Sequence, residues 1–214
     1  MADWVTISSL ATAGGTLVLA VATFASVRSA NRSARIAELS VSASLRPLLM
    51  PSRLDDPPQK VGFRDGKWLR VEGGSGAAEV SDQAVYIVLS LRNVSTGTAV
   101  LHGWWVAEHL PIDTPPPLDE MTRLTRDIFV PAGDIGFWQG SFRDPSNDSF
   151  QEARRLVEQR KDIGVAVMYG DLEGGQRTIT RFFLSPRIHA ADDEPWMWTC
   201  AVVRHLNLDR ADPR

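Results

Sequence analysis

Cysteine and histidine are scarce in this chain, and their scarcity excludes several kinds of site. The single cysteine, Cys200, cannot form an internal disulfide and has no second cysteine with which to bind zinc. His102 and His109 lie seven residues apart on one predicted strand, so strand alternation points them to opposite faces. His189 and His205 have no cysteine or histidine at ligand spacing. We therefore predict no metal site and no cofactor.

Catalytic motifs are also absent. The sequence has no Gly-x-Ser-x-Gly elbow, no glycine-rich phosphate loop ending in Lys-Ser or Lys-Thr, and no His-Glu-x-x-His. Cys200 lies in an apolar stretch typical of a core strand. Asp171, Glu173 and residues 192–194 lack the regular spacing of a calcium loop and favour a solvated acidic face. We predict no catalytic residue, although folding can assemble a catalytic site from distant residues, so an enzyme is kept as the third hypothesis.

Positive charge is concentrated in one short stretch. Residues 28–46 contain four arginines and one acid, Glu38, for a local charge of plus three. Since the whole chain carries minus three and Asp3 contributes minus one, residues 47–214 carry minus five. Nucleic-acid recognition needs clustered lysine and arginine on the folded surface, so this balance argues against a nucleic-acid partner.

One long hydrophobic run stands at the start of the chain. Residues 5–27 contain no charge and exceed the roughly 20 residues that cross a bilayer as a helix. We predict a transmembrane anchor over residues 1–27. Basic residues follow the run and none precedes it, so the positive-inside rule places the amino terminus outside the cell membrane and the C-terminal domain in the cytoplasm. A cleaved secretory signal is the alternative, but its expected basic start and short apolar region are both missing.

Small residues recur every four positions within this run and share one helical face. In lipid, small residues let two helix backbones approach closely. The pattern predicts pairing with a second copy of the chain or with another membrane subunit. A solitary anchor that merely tolerates small residues is the open alternative. The candidate interface residues are Ser8, Thr12, Gly15, Thr16 and Ala20.

The anchor is predicted to continue as a juxtamembrane helix over residues 28–45, which contain neither glycine nor proline. Arg46-Pro47 should end it, because the residue before a proline disfavours helical geometry. Arg28, Arg32 and Arg35 lie where they could contact anionic headgroups of membrane lipid. The alternative is that these arginines only fix the topology.

The rest of the chain is predicted to be mainly β. Short alternating runs separated by turn residues indicate an antiparallel, immunoglobulin-like β-sandwich over residues 46–206, followed by a polar tail at 207–214. Residues 171–176 read as a hairpin turn, and residues 55–66, 73–82 and 111–117 read as loops. One amphipathic helix is inserted, beginning at the capping box Ser149 to Glu152 and ending near Lys161. The predicted strands are 47–54, 68–72, 84–93, 99–109, 134–142, 163–169, 177–184 and 196–206.

Tryptophan is plentiful, with seven residues. Trp104 and Trp105 are neighbours on a predicted strand, so one should enter the core while the other points outward. Trp196 and Trp198 should share a face. Core packing is the favoured interpretation, and an exposed docking patch is the alternative.

Residues 89–100 (LSLRNVSTGTAV) resemble the Leu-x-Asn-x-Gly-x-Gly-x-Ala signature of immunoglobulin-like sandwich domains in bacterial single-pass membrane proteins of uncharacterised function. Asn93, Gly97 and Ala99 match the signature, and Ser95 replaces its first glycine. Those proteins also often carry an Arg-Pro step soon after the anchor, as at Arg46. The resemblance implies an architecture and a membrane location, and it implies no catalytic residues.

The sequence thus favours a non-catalytic membrane-anchored accessory or scaffold subunit that assembles through its helix and its sandwich surface. The alternative is a cytoplasmic domain that senses a small molecule or ion through the loops at one end, among them residues 111–117 and 171–176. A polar pocket would favour sensing, and a flat exposed apolar patch would favour assembly.

Overall fold

The structure is a computed structural model that describes residues 3–111, 114–187 and 197–209, without the side chains of residues 5 and 6. The chain divides into two compact units, Met1–Ser44 and Leu45–Arg214. The first unit contains one helix. The second, called the β unit below, is mostly antiparallel β-sheet with one short helix.

Helix α1 spans Trp4–Ser44 without interruption, so the predicted anchor and juxtamembrane segment form one helix. Its 41 residues extend about 60 Å at 1.5 Å per residue, twice the thickness of a bilayer core. Within the described residues, one helix, Ile7–Ser44, is long and apolar enough to cross a membrane. The helix ends just before Arg46-Pro47, where the restricted backbone before proline stops it.

Ten strands of the described residues form one sheet in the order β1-β5-β4-β12-β11-β10-β6-β7, with β9 also paired to β5 and β8 also paired to β6. Strands β2 and β3 form a separate hairpin. Every pairing is antiparallel. The strands are β1 (Leu49–Pro51), β2 (Gln59–Gly62), β3 (Trp68–Val71), β4 (Ser75–Val80), β5 (Val85–Asn93), β6 (Ala99–Ala107), β7 (Thr122–Arg123), β8 (Phe129–Val130), β9 (Ile135–Phe142), β10 (Ile163–Gly170), β11 (Thr178–Pro186) and β12 (Met197–Asn207).

The alternation predicted for β5 is confirmed, and both of its faces are buried. Tyr86 and Val88 pack in a small cluster with the β2–β3 hairpin. The opposite face enters the main core, which also contains Val165 of β10 and Phe182 of β11. Three strands, β4, β12 and β11, lie between β5 and β10 in the sheet. The sheet must therefore curve to bring one face of β5 and one face of β10 into a single core. The β5 residues of that core are Val85, Ile87, Leu89 and Leu91.

Helix α2 spans Asp148–Glu158, and its predicted apolar stripe is confirmed as buried. The predicted capping box is wrong, because Asn147 caps the helix and its side chain accepts from the Ser149 backbone N–H at 2.9 Å. An asparagine oxygen reaches the exposed N–H groups of the first turn as well as a serine does. The helix ends at Glu158, and Arg160, with a φ of 54°, is the left-handed residue that follows the C-cap Gln159. The buried residues are Phe150, Ala153, Leu156 and Val157.

Two predicted loops contain strands. Strand β2 lies within residues 55–66 and β4 within residues 73–82. Strand β4 begins with small residues (Ser75 to Ala78) and packs closely: a Cβ on Gly76 would lie 2.4 Å from Leu184 Cδ2 and 3.1 Å from the Val88 oxygen. The composition of residues 73–82 therefore resembles that of a loop, although the small residues of β4 are there because the strand packs closely against its neighbours. Strands β7 and β8 were also missed, since two residues are too few to show a period.

The boundaries of two predicted segments are also corrected. Strand β6 ends at Ala107, so His109 lies outside the strand that was predicted to carry it together with His102. The predicted tail is wrong at its start. The Leu208 N–H donates to the Arg177 oxygen at 3.0 Å, and Asp209 pairs with Arg177 at 2.8 Å. The turn between β10 and β11, predicted at residues 171–176, is confirmed.

The segment that carries the family resemblance connects β5 to β6. Asn93 is fully buried and its Nδ2 donates to the oxygens of Gly97 at 2.7 Å and Val130 at 3.0 Å. A Cβ on Gly97 would lie 1.7 Å from the Leu45 oxygen, so only glycine fits beside the first residue of the β unit. Ala99 is fully buried in the main core.

Candidate functional site

The predicted interface residues of α1 lie on one exposed helical face. Thr16 Oγ1 donates to the Thr12 oxygen and Thr12 Oγ1 donates to the Ser8 oxygen, each at 2.9 Å. These hydroxyl donors are satisfied within the helix and cost little to bury in lipid or against a second helix. Contact through Ser8, Thr12, Gly15, Thr16 and Ala20 stays a prediction.

The same face continues beyond the anchor. At about 100° per residue, small residues after Val27 fall in line with Thr12 and Thr16 along the uninterrupted helix. We call this the small face. Its small residues over the whole helix are Ser8, Thr12, Gly15, Thr16, Ala20, Thr23, Ala30, Ala34 and Ala37, and the larger Leu19, Val27, Glu38 and Val41 lie among them. The signal for this continuation is present in the sequence, since residues 28–45 contain no glycine or proline and so predict an unbroken helix.

The bulky and basic residues of α1 lie roughly opposite the small face at the same angular spacing. Leu17, Val21 and Phe24 occupy that side within the apolar part, and all three are exposed. Arg28, Arg32 and Arg35 continue it and are also exposed. Contact of these arginines with lipid headgroups stays a prediction, and they lie on the side away from the small face.

Arg46 has a role that its position after the anchor did not reveal. Its Nε donates to Gln176 Oε1 at 3.0 Å and its Nη1 donates to Asn207 Oδ1 at 2.7 Å. The next residue, Pro47, is buried. The Arg-Pro step therefore fixes the first residues of the β unit to the β10–β11 turn and to the end of β12.

A buried polar chain lies close to this attachment. The Leu49 N–H donates to the Tyr169 hydroxyl at 3.1 Å, which lies 2.8 Å from Thr180 Oγ1. Thr180 Oγ1 lies 2.7 Å from His205 Nδ1. Burial raises the pKa of Tyr169 and lowers the pKa of His205, so both side chains are held neutral near pH 7. These hydrogen bonds between neutral groups join β1, β10, β11 and β12, so we interpret them as a structural network.

The described residues contain no group of three or more His, Cys, Asp or Glu side chains that could hold a metal. Burial raises the pKa of Cys200 to about 12, which leaves the thiol protonated and unreactive. Burial is also the main cause that lowers the pKa of His102, and Arg177 adds to it. His189 and residues 192–194, considered as ligands above, lie outside the described residues.

The tryptophans of the β unit mostly fill its core. Trp104 is 4% exposed and packs edge-to-face on Trp138 at 5.4 Å between ring centroids, and its neighbour Trp105 is half-buried. Trp198 is buried as well, while Trp196 lies outside the described residues. Trp68 is 57% exposed under the Lys60 ammonium, 5.3 Å from its ring centroid. Among the described tryptophans of the β unit, one exposed ring gives little support to the alternative of a docking patch, which stays untested.

Clefts formed by the described residues of the β unit include the following three. The first, of about 610 Å³, is mainly apolar and lies beside Leu110, Phe183 and Val203. The second, of about 370 Å³, lies at the start of α2 and is lined by acids as well as by Arg143. The third, of about 260 Å³, adjoins the second through shared residues and is lined by four arginines and no acid; we call it the arginine cleft. Its arginines are Arg64, Arg123, Arg126 and Arg143.

The arginine cleft was not predicted from the sequence. Its cations come from the β2–β3 turn, from β7 and the loop after it, and from the end of β9, at positions up to 79 residues apart. These arginines belong to no short sequence motif. The net negative charge of residues 47–214 also gave no indication of a local positive site. No family model, curated protein or solved structure matches this chain.

Proposed function

We propose that this chain is a single-pass membrane protein that works without catalysis, as an accessory or scaffold subunit assembled through α1. The amino terminus lies outside the cell and the β unit lies in the cytoplasm. The partner of α1 is the same helix in a second copy of the chain. The observation that carries the proposal is the small face, which runs from Ser8 to Val41 along an uninterrupted helix.

A parallel pair of identical helices suits this face. Parallel two-fold packing brings equivalent positions together, so small residues such as Gly15 and Ala34 would meet their own copies. Arg28, Arg32 and Arg35 would point away from the axis and would not repel their copies. Their position after the apolar run also supports a cytoplasmic β unit.

We further infer that the β unit is an immunoglobulin-like sandwich related to domains of bacterial single-pass membrane proteins. The curved antiparallel sheet, which encloses one core between β5 on one side and β10 and β11 on the other, supports this inference. The buried side chain of Asn93 and the tight approach of Gly97 to Leu45 support it too, because these are matched positions of the family signature.

The assembly proposal is tested by enlarging the small face. The variant Thr12→Leu/Thr16→Leu should lower the oligomeric state of the full chain in mild detergent, measured by analytical ultracentrifugation, because the added side chains separate the helix backbones. Val21→Leu is the matched control, since it adds apolar volume on the opposite face and should change nothing. An unchanged oligomeric state in the threonine variant, or an equal loss in the control, would refute assembly through this face.

A cross-linking experiment identifies the partner. Ala34→Cys should form a disulfide-linked dimer of the chain in oxidised membranes, whereas Arg32→Cys, on the other side of α1, should not. Cys200 is 7% exposed and gives little background. Cross-linking of Ala34→Cys to a different protein would refute the second copy as partner in favour of another membrane subunit.

The orientation has its own test. Glu173 is exposed in the β10–β11 turn, so Glu173→Cys is accessible to a thiol reagent. A membrane-impermeant reagent should label it only after the cells are opened. Labelling in intact cells would place the β unit outside and refute the cytoplasmic assignment.

The sensing alternative has one specific observation in its favour, the arginine cleft, although the described residues of the predicted sensing loops, 111–117 and 171–176, do not line it. Four guanidinium groups around a cleft of about 260 Å³ are suited to anionic ligands. Sensing and assembly are compatible, since a ligand of the β unit could act on a dimer formed by α1.

A further inference from the structure

The arginine cleft lies where two distant edges of the curved sheet come close. Strand β7, paired to β6, brings Arg123 to one side, with Arg126 three residues later. Strand β9, paired to β5, forms the other side and ends just before Arg143. The β2–β3 turn closes one end with Arg64. Three separate segments thus direct guanidinium groups towards one cleft.

These arginines are only partly neutralised. Arg64 and Arg123 have no ion-pair partner among the residues that the structure describes. Arg126 lies 2.9 Å from Asp127, and Arg143 lies 3.4 Å from Asp65. The four arginines and their two paired acids together carry plus two, while Glu120 and Asp144 lie in the adjoining cleft. The like charges repel one another unless an anion lies between them.

The floor of the cleft is apolar and held by packing. Phe63 and Trp104 line it and are 7% and 4% exposed. The Phe63 ring packs edge-to-face on Tyr86 at 4.7 Å between centroids, and Trp104 packs likewise on Phe142 at 5.1 Å. Large rings held between neighbours cannot easily shift. The basic groups therefore surround a preformed depression and not a collapsed surface.

We propose that the arginine cleft binds a small soluble anion that carries at least two oxyanion groups, of the phosphate or carboxylate type. Guanidinium groups bind both types in the same forked geometry. Arg64 and Arg123 have no ion-pair partner among the described residues, so they are the arginines most available to one oxyanion group, and a second group belongs beside Arg126 or Arg143. A volume of about 260 Å³ suits a small molecule, since it lies near the lower end of the range of ligand pockets.

The test uses the full chain in nonionic detergent and titration calorimetry with inorganic pyrophosphate and, separately, citrate. At least one should bind with one site per chain, and binding should weaken when salt is raised from about 20 mM to about 500 mM. Arg64→Gln/Arg123→Gln should reduce the affinity by about tenfold or more, because it removes the two unpaired guanidinium groups. Arg70→Gln is the matched control, since Arg70 is an exposed arginine paired to Glu72 outside the cleft and should leave binding unchanged.

Each contrary result overturns the proposal. Absence of binding by both probes refutes an oxyanion site, and equal losses in the cleft variant and the control refute this location. A headgroup phosphate is the other source of the same chemistry. If vesicles of phosphatidylcholine with phosphatidylserine bind the chain in a way that depends on Arg64 and Arg123 while both soluble probes fail, the ligand is lipid and the proposal is wrong. Thr12→Leu/Thr16→Leu should bind the probes normally, so this proposal and assembly through α1 fail separately.

Discussion

Asn93 offers the sharpest test of how the β unit is held together. Its side chain is fully buried and donates two hydrogen bonds, to the oxygens of Gly97 and Val130. Its Oδ1 accepts two more from Ser95, from the N–H at 3.2 Å and from the hydroxyl at 2.8 Å, and a long one from the Leu48 N–H at 3.5 Å. Asn93→Ala removes all five, of which the long one contributes little. At about 1 kcal/mol each the loss would be about 4 kcal/mol, but Gly97 O keeps a bond from Ser95 Oγ at 3.1 Å, so we expect about 3 kcal/mol.

A loss of about 3 kcal/mol should lower the Tm of a unit of this size by roughly 6 to 12 °C. Near-ultraviolet circular dichroism of the full chain in mild detergent measures it, because the buried rings of Trp104, Trp138 and Trp198 report on the core. The cost of Ser95→Ala should differ between the Asn93→Ala background and the wild type, since the two side chains bond each other and both bond the Gly97 oxygen. Asn31→Ala, at an exposed position of α1, is the control. A fall in Tm of less than about 2 °C, or additive effects of the two substitutions, would refute the role assigned to Asn93.

Three further predictions concern single residues. Gly97→Ala should destabilise the β unit by about 3 kcal/mol or more, because its Cβ would overlap the Leu45 oxygen; an unchanged Tm would contradict that close approach. Asn147→Ala should cost about 1 kcal/mol in thermal unfolding while Ser149→Ala costs almost nothing, and equal costs would contradict the assigned cap. Burial lowers the pKa of His205 below the unfolded value of about 6.5, so the unfolded chain binds more protons and stability should fall as the pH drops below about 6.5. His205→Gln should flatten the dependence of Tm on pH between about 5 and 6.5. A dependence identical to that of the wild type would show that protonation of His205 does not affect the stability of the β unit.

Periodic segments were predicted well because their signal is local. The apolar stripe of α2 at Phe150, Ala153, Leu156 and Val157 and the alternation of β5 each repeat within one element, and burial follows directly from the repeat. Segments whose role depends on a distant neighbour were not predicted. Strand β4 resembled a loop because Gly76 must fit against Leu184, and Asn147 was passed over for Ser149 because both can cap a helix.

The sequence by itself determined the long apolar helix, its small face, its basic flank and the mainly antiparallel β character of the rest, because each depends on residues close together along the chain. The tertiary structure alone decided which charges meet. It held Arg46 with Gln176 and Asn207, and it gathered Arg64, Arg123, Arg126 and Arg143 around one cleft. Curvature of the sheet brings distant strand edges together, and the distance between two charges in space, which decides their interaction, is not encoded in their separation along the chain.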